Sequence, residues 1–400
     1  MVILTAPDDS AFGLDNLPYG VFSTPGTQRR VATRLGEHVV DLAVLLGDDV
    51  FSRPDINGFM AQGYDRWVEV RALLQERLAG EVPAEAVHAL ADVELHLPVE
   101  VADYVDFYAS EHHAANLGRL FRPDNPDPLM PNWKHLPVGY HGRAGSIVVS
   151  GTDIPRPCGQ RKGPRDPAPV FGPSVRLDIE AELGFVVGTA TRLGATVDVD
   201  EADRHIFGVV VFNDWSARDI QAWEYVPLGP NLGKSFASTV SAWVVPLLAL
   251  SHARVETPEQ KPAPLPYLAM KQTWGLDVDL SVQWNGQEVS RPPYREMYWS
   301  PAQMLAHLTV NGAPTRTGDL YASGTISGPE KETRGAFIEL TWGGAEPVTV
   351  RGEERTFLED GDEVVITASA PGPGGRRIGF GEARGRILPA SGHFSNGDNY

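Results

Sequence analysis

The sequence predicts a mainly β protein with some α-helix, built as a small N-terminal unit over residues 1–100 and a larger, mixed and mainly antiparallel sheet structure over residues 101–400. Short extended segments outnumber helical ones, and no regular strand-helix-strand rhythm runs through the chain. In addition, 41 Gly and 33 Pro punctuate the 400 residues, a turn-rich composition.

In the first hundred residues, Tyr19 to Ser23, Arg30 to Leu35 and Glu37 to Leu42 read as strands joined by tight turns, the last two around Gly36. Trp67, Val70, Leu74 and Leu78 recur at helical spacing between a capping Asp65 and a terminating Gly80. Val93, Leu95 and Leu97 alternate as a strand before Pro98, where the boundary falls. Beyond it, strands are expected at Ser146 to Ser150, Arg176 to Val187, Ile206 to Asp214, Leu276 to Trp284 and Phe337 to Trp342, with Asn285-Gly286 as a hairpin turn. Helices are expected after Ser110, Ser216 and Ser300, the second through capping-box spacing of Ser216 and Asp219. Gly151 to Pro173 reads as a long loop, and the polar segment Ser391 to Tyr400 as a frayed end.

Composition limits the function. Lys and Arg number 34 against 52 Asp and Glu, a formal net charge of −18 that argues against nucleic acid as a partner. A membrane span needs roughly 18 consecutive apolar residues, whereas Val240 to Leu250 is short and broken by Pro246. With no signal peptide visible behind Met1 and a lone Cys158, the expected setting is cytoplasmic and reducing. A single cysteine also rules out an internal disulfide or a multi-cysteine metal site.

Five acidic positions carry the first chemical signal. In Arg176-Leu-Asp-Ile-Glu-Ala-Glu-Leu183 a period of two puts Asp178, Glu180 and Glu182 on one face, either a solvated strand face or ligands for a hard cation. The continuous apolar run Ile206 to Phe212 reads as a strand buried on both faces, and it ends in Asn213-Asp214. Asp106 and Tyr108 share one side of an extended segment, and His113 follows just inside a helix, within reach as a general base. His112 points roughly 100° away from it. Arg218, Gln221 and Tyr225 share one helix face, where Arg218 and Gln221 either solvate a surface helix or act as donors to a developing oxyanion, with Lys234 as a loop cation beside Asp214. Glu339, on an expected strand, is either solvent-facing or a partner for an imidazole. Gly229 to Ser235 has three residues rather than four between its glycines, so it is no phosphate loop. No Gly-x-Ser-x-Gly elbow or His-Glu-x-x-His motif is present.

These segments resemble the fumarylacetoacetase (fumarylacetoacetate hydrolase) family over nearly the whole chain. The blocks that carry the resemblance are Asn16-Leu-Pro-Tyr-Gly-Val-Phe22, Asp106-Phe-Tyr108, Pro131-Asn-Trp133, Leu136 to Arg143, Asn213 to Gln221, Trp223 to Pro230 and Ser323 to Gly328. The resemblance implies an SH3-like N-terminal barrel, a mixed β-sandwich or β-roll catalytic domain and a homodimer. It implies Mg²⁺ and/or Ca²⁺ held by Asp106, Glu180, Glu182 and Asp214, with Lys234 and Ser238 alongside. Ser238 stands where the family has threonine, which keeps the hydroxyl. By the same resemblance His113 is the general base and Glu339 orients it. Arg218, Gln221 and Lys234 face the oxyanion, and Tyr108, Arg122, Tyr140, Gln221, Tyr225 and Thr325 contact substrate.

The activity implied is metal-dependent hydrolysis of a carbon–carbon bond in a small diketo acid, 4-fumarylacetoacetate, which ends tyrosine and phenylalanine catabolism. Two alternatives stay open. One is a related decarboxylase, isomerase or diketo-acid hydrolase using the same acidic cluster, against which the N-terminal unit and Trp223 to Pro230 argue. The other is a metal-stabilised binding protein without turnover.

Overall fold

The computed structural model describes residues 1–391 apart from 8 and 164. Its N-terminal strands are β1 (Tyr19–Ser23), β2 (Arg30–Leu35), β3 (His38–Asp41), β4 (Val87–Ala89) and β5 (Glu94–His96), with helix α1 (Tyr64–Leu78) between β3 and β4. Then come β6 (Tyr104–Phe107), α2 (Glu111–Phe121), β7 (Gly139–His141), β8 (Ile147–Val149), β9 (Ala181–Val187), β10 (Ile206–Asp214), α3 (Arg218–Glu224), β11 (Ser238–Val240) and β12 (Trp243–Pro246). The chain continues with β13 (Asp279–Trp284), β14 (Gln287–Ser290), α4 (Pro301–Thr309), β15 (Leu320–Ala322), α5 (Phe337–Leu340), β16 (Glu363–Pro371) and β17 (Arg377–Leu388).

One 13-stranded sheet runs β4-β3-β2-β1-β12-β10-β9-β15-β6-β7, with β5 added to β1 and β8 to β11 beside β10. Its pairings are antiparallel except β15 with β6 and β8 with β11. β10 runs Ile206–Asp214 and is buried along its whole length, as its apolar run requires. The N-terminal strands join this sheet through Trp243 opposite Gly20, and among the described residues they form an open path with no closed barrel. A second, five-stranded sheet places β17 and β16 beside β13 and β14. There Asn285 and Gly286 both take positive φ, 51° and 78°, as a two-residue hairpin turn demands.

Local signals and the structure diverge in several places. Helix α1 buries Trp67, Val70, Leu74 and Leu78, yet Gly63 caps it and Asp65 sits within its first turn, paired with Arg204 at 3.3 Å. The Ser216–Asp219 capping box does not form, because Ser216 pairs in a strand bridge with Asp178. Its hydroxyl donates to the Asp214 carbonyl at 2.9 Å, and Asp219 accepts from Ser174 Oγ at 2.6 Å. The expected loop 151–173 contains an antiparallel hairpin, Cys158–Arg161 with Val170–Pro173. It lies against α3 so closely that a Cβ on Gly159 would stand 2.8 Å from Ile220. Backbone pairing there needs no apolar alternation, so the sequence pattern missed it.

The fourth correction bears on the site. Phe337 to Trp342 is helical, not a strand. Phe337 and Thr341 fit one helix turn as well as an alternation, and Thr341 Oγ1 donates to the Phe337 carbonyl at 2.8 Å. Long-range contacts decide the conformation: Phe337 stacks on Trp284 at 4.3 Å between ring centroids, and Asp178 accepts the amides of Phe337 and Ile338. By contrast, α2 has Ser110 as its cap and α4 a complete Ser300–Gln303 capping box. Apart from Ser391, the tail read as frayed lies outside the described residues.

Candidate active site

β6, β9 and β10 each deliver acidic side chains to one buried point. Asp106, Glu180, Glu182 and Asp214 each offer a carboxylate oxygen, and these oxygens all lie within 4.8 Å of one another. All four residues are buried, so the solvated-face reading of residues 178–182 fails. The strand face also splits: Leu177–Asp178 and Ala181–Val187 are separate strands, and only Glu180 and Glu182 reach the cluster. Asp178 turns instead to Arg218.

Four carboxylates packed this closely repel unless cations compensate. Lys234 Nζ donates to Asp214 Oδ2 at 2.8 Å and to Glu180 Oε2, and Arg218 Nη1 donates to Glu180 Oε1 at 2.7 Å. Burial alone would raise the Glu180 carboxyl, but Lys234, then Arg218 and His113, hold it below the usual range. The same burial opposes the Lys234 charge, which Asp214 and Glu180 restore and strengthen. Asp106 and Glu182 lack such partners. Burial, followed by Asp214 for the first and Asp106 for the second, pushes both carboxyls well above the usual range.

Asp106 Oδ1 and Glu182 Oε1 are buried and make no hydrogen bond. A buried carboxylate oxygen without a donor is costly, and a hard divalent cation removes that cost through oxygen ligation. The donor set, carboxylates only, therefore fits such an ion. Remaining oxygens are held in place: Ser238 Oγ donates to Asp214 Oδ1 at 2.9 Å and Tyr140 OH to Asp214 Oδ2 at 2.9 Å. The Gly324 amide donates to Glu182 Oε2 at 3.0 Å. Gly324 is at φ +75°, where an added Cβ would meet the Phe107 carbonyl at 2.3 Å, so only glycine brings that amide in.

His113 stands beside the cluster. Its Nδ1–H donates to Glu339 Oε2 at 2.6 Å, while Nε2 lies 3.9 Å from Glu180 Oε1. The imidazole is also edge-on to the Tyr108 ring at 5.3 Å. His112, one residue back, points to Glu296 and is partly exposed. Glu339 is fully buried and accepts further from Asn116 Nδ2 and Ser327 Oγ, each at 2.9 Å. Burial pushes its carboxyl up, but His113 and these donors outweigh that and leave it lowered. Asn116 had a legible signal, since it lies three residues from His113 on one helix face; Ser327 had none.

Arg218 Nη1 also donates to Gln221 Oε1 at 3.1 Å, and its buried Nη2 makes no hydrogen bond. Tyr108, Arg122 and Tyr225 line one cavity of about 450 Å³ together with Leu129, Met130 and Trp133. Tyr140 belongs to a second cavity of about 280 Å³, shared with Asp214, Lys234 and Ser238. Thr325 follows Gly324 and is buried with its hydroxyl unpartnered. Cys158 stands on the hairpin against α3, where burial raises its thiol above the ordinary range.

Two family models divide the chain between them. "Fumarylacetoacetase N-terminal" matches residues 15–98 and "Fumarylacetoacetate (FAA) hydrolase C-terminal" matches residues 103–388. The chain belongs to the fumarylacetoacetate hydrolase family. Among its members, the fumarylacetoacetase of Homo sapiens is 47% identical, with 98% of this chain and 99% of that protein covered. Those of Caenorhabditis elegans and Arabidopsis thaliana are 46% and 45% identical, covering 97% and 96% of this chain and 99% and 97% of theirs. The fold also resembles a solved fumarylacetoacetate hydrolase from Exiguobacterium antarcticum, TM-score 0.57 at 18% identity, covering 93% of this chain and 99% of that one. A maleylpyruvate hydrolase from Sphingobium, solved with manganese and pyruvate, gives TM-score 0.55 at 14% identity, covering 94% of this chain and 100% of that one. Membership of the fumarylacetoacetate hydrolase family thus rests on matches that together span both halves of the chain.

Proposed function

We propose that this chain hydrolyses a carbon–carbon bond of 4-fumarylacetoacetate, giving fumarate and acetoacetate. The observation that carries the reading is the convergence of four buried carboxylates beside an imidazole whose far nitrogen is held by Glu339. Family membership at 45–47% identity to fumarylacetoacetases supports it.

Asp106, Glu180, Glu182 and Asp214 would hold a hard divalent cation, Mg²⁺ and/or Ca²⁺, with Lys234 and Ser238 fixing the carboxylates rather than competing for the ion. Such an ion, when bound, supplies Lewis acidity to the oxygens of a 1,3-diketone. Glu339 accepts the Nδ1 proton of His113, so Nε2 keeps its lone pair toward the cluster and can take a proton from water. Arg218, Gln221 and Lys234 supply donors where negative charge develops on the attacked carbonyl oxygen; the free Nη2 of Arg218 suits that role. Arg122, with Tyr108 and Tyr225 across the larger cavity, binds a terminal carboxylate through its planar fork. Tyr140 and Thr325 contact the substrate closer to the acidic cluster.

Residues 101–400 form the catalytic domain in this reading and residues 1–100 an SH3-like N-terminal domain; the separate family matches at 15–98 and 103–388 support the division itself. The working form is a cytoplasmic homodimer. No helix among the described residues is long and apolar enough to cross a membrane.

Incubation with synthetic fumarylacetoacetate tests the proposal, following loss of its conjugated absorbance and identifying both products. Equimolar fumarate and acetoacetate are expected. A decarboxylated or isomerised product, or no turnover by metal-loaded protein, would overturn it.

A further inference from the structure

We propose that Asp178 is a positioning residue for this hydrolysis, holding the His113–Glu339 pair and the Arg218–Gln221 donors in one frame. The inference rests on the reaction read above.

The Asp178 carboxylate is wholly buried and accepts from four donors. Oδ1 takes the amides of Ile179 and Phe337, each at 2.7 Å. Oδ2 takes the Ile338 amide at 3.0 Å and Arg218 Nε at 2.8 Å. A carboxylate has about four acceptor positions, so this one is saturated. It has none left for substrate or metal, and its action has to pass through its partners.

Those partners are the two halves of the catalytic machinery. Phe337 and Ile338 open the helical turn whose next residue is Glu339, and the residue at the head of that turn, Ala336, has no side chain able to cap it. Asp178 supplies the missing cap from 159 positions away. On the other side, the guanidinium it holds through Nε presents Nη1 to Glu180 and Gln221. Asp178 also sits opposite Ser216 in the strand bridge, and Ser216 Oγ donates to the Asp214 carbonyl. One anion therefore sets the distance between the proton acceptor and the oxyanion donors, where a misplacement of about 1 Å costs about 10²-fold in rate.

The test is Asp178→Asn, which keeps the shape but turns one acceptor into a donor facing donors. We expect kcat for fumarylacetoacetate to fall about 10²-fold, with KM and calorimetric Mg²⁺ affinity each within about three-fold of wild type. In a Glu339→Gln background the same substitution is expected to cost under about five-fold, because interacting positions are not additive. An equal loss in both backgrounds, or unchanged kcat, would overturn the inference while the hydrolase reading stood. An inactive, metal-loaded wild type would overturn the hydrolase reading first. Asp178→Ser serves as a second variant; if neither variant folds into metal-binding protein, Asp178 serves the fold alone and the proposal is wrong.

Discussion

His113 and Glu339 lie 226 positions apart in the chain and 2.6 Å apart in space, Nδ1 to Oε2, with both side chains buried. The carboxylate's second oxygen is occupied by Asn116, so the ring has one orientation and its Nε2 one direction, toward the acidic cluster.

Replacing Glu339 with Gln keeps the volume and removes the anion that fixes the imidazole tautomer. By analogy with carboxylate-to-amide changes in histidine-based dyads, kcat should fall by about 10²–10⁴. Bound Mg²⁺, measured by calorimetry, should stay close to wild type, since Glu339 is not among the four clustered carboxylates.

Arg218→Leu leaves Asp178 buried without its cation and Glu180 with Lys234 alone. Removing one partner of a buried ion pair costs about 3–5 kcal/mol. Guanidinium denaturation monitored by tryptophan fluorescence should show an unfolding free energy lower by that amount, and an unchanged midpoint would contradict the burial described.

Metal binding should be linked to protons. In the metal-free protein Asp106 and Glu182 have carboxyls raised well above the ordinary range, chiefly by burial. Their unfolded-state counterparts ionise near pH 4. Metal-free stability is therefore greatest below that pH as far as these two groups are concerned, and it falls as pH rises toward their folded-state values. Affinity for Mg²⁺ moves the opposite way, weakening as pH falls, with protons released on binding. Calorimetry in buffers of different ionisation enthalpy measures the release; a binding heat independent of buffer would refute it.

Arg122→Lys exchanges a planar fork for a point charge at the wall of the larger cavity. KM for fumarylacetoacetate should rise about 10-fold or more, the loss of one charge-assisted bond of a bidentate pair, while kcat changes less. Steady-state kinetics separate the two, and a fall in kcat alone would place the terminal carboxylate elsewhere.

Part of this site was legible in the text of the chain. The apolar run ending at Asp214 and the Ser110 cap ahead of His113 are short-range patterns that produced the expected elements, whereas the expected strand Arg176 to Val187 splits, with Glu182 on Ala181–Val187 and Glu180 just before it. Such patterns report burial and local backbone geometry because strand and helix periods are set within a few residues. Whether Glu180 faced water or a metal was undecidable locally, since alternation is identical in both cases.

The sequence by itself determined a strand-rich protein whose acidic residues end or line buried strands, because periodicity and capping act over one turn or one pleat. Only the tertiary structure decided that Phe337 to Leu340 is a helical turn, that Asp178 leaves the acidic face for Arg218, and that residues 151–173 hold a hairpin. Those outcomes depend on hydrogen bonds and ring contacts between residues tens to hundreds of positions apart. A buried carboxylate takes whichever donors the folded chain brings to it, and no spacing along the chain records which ones those are.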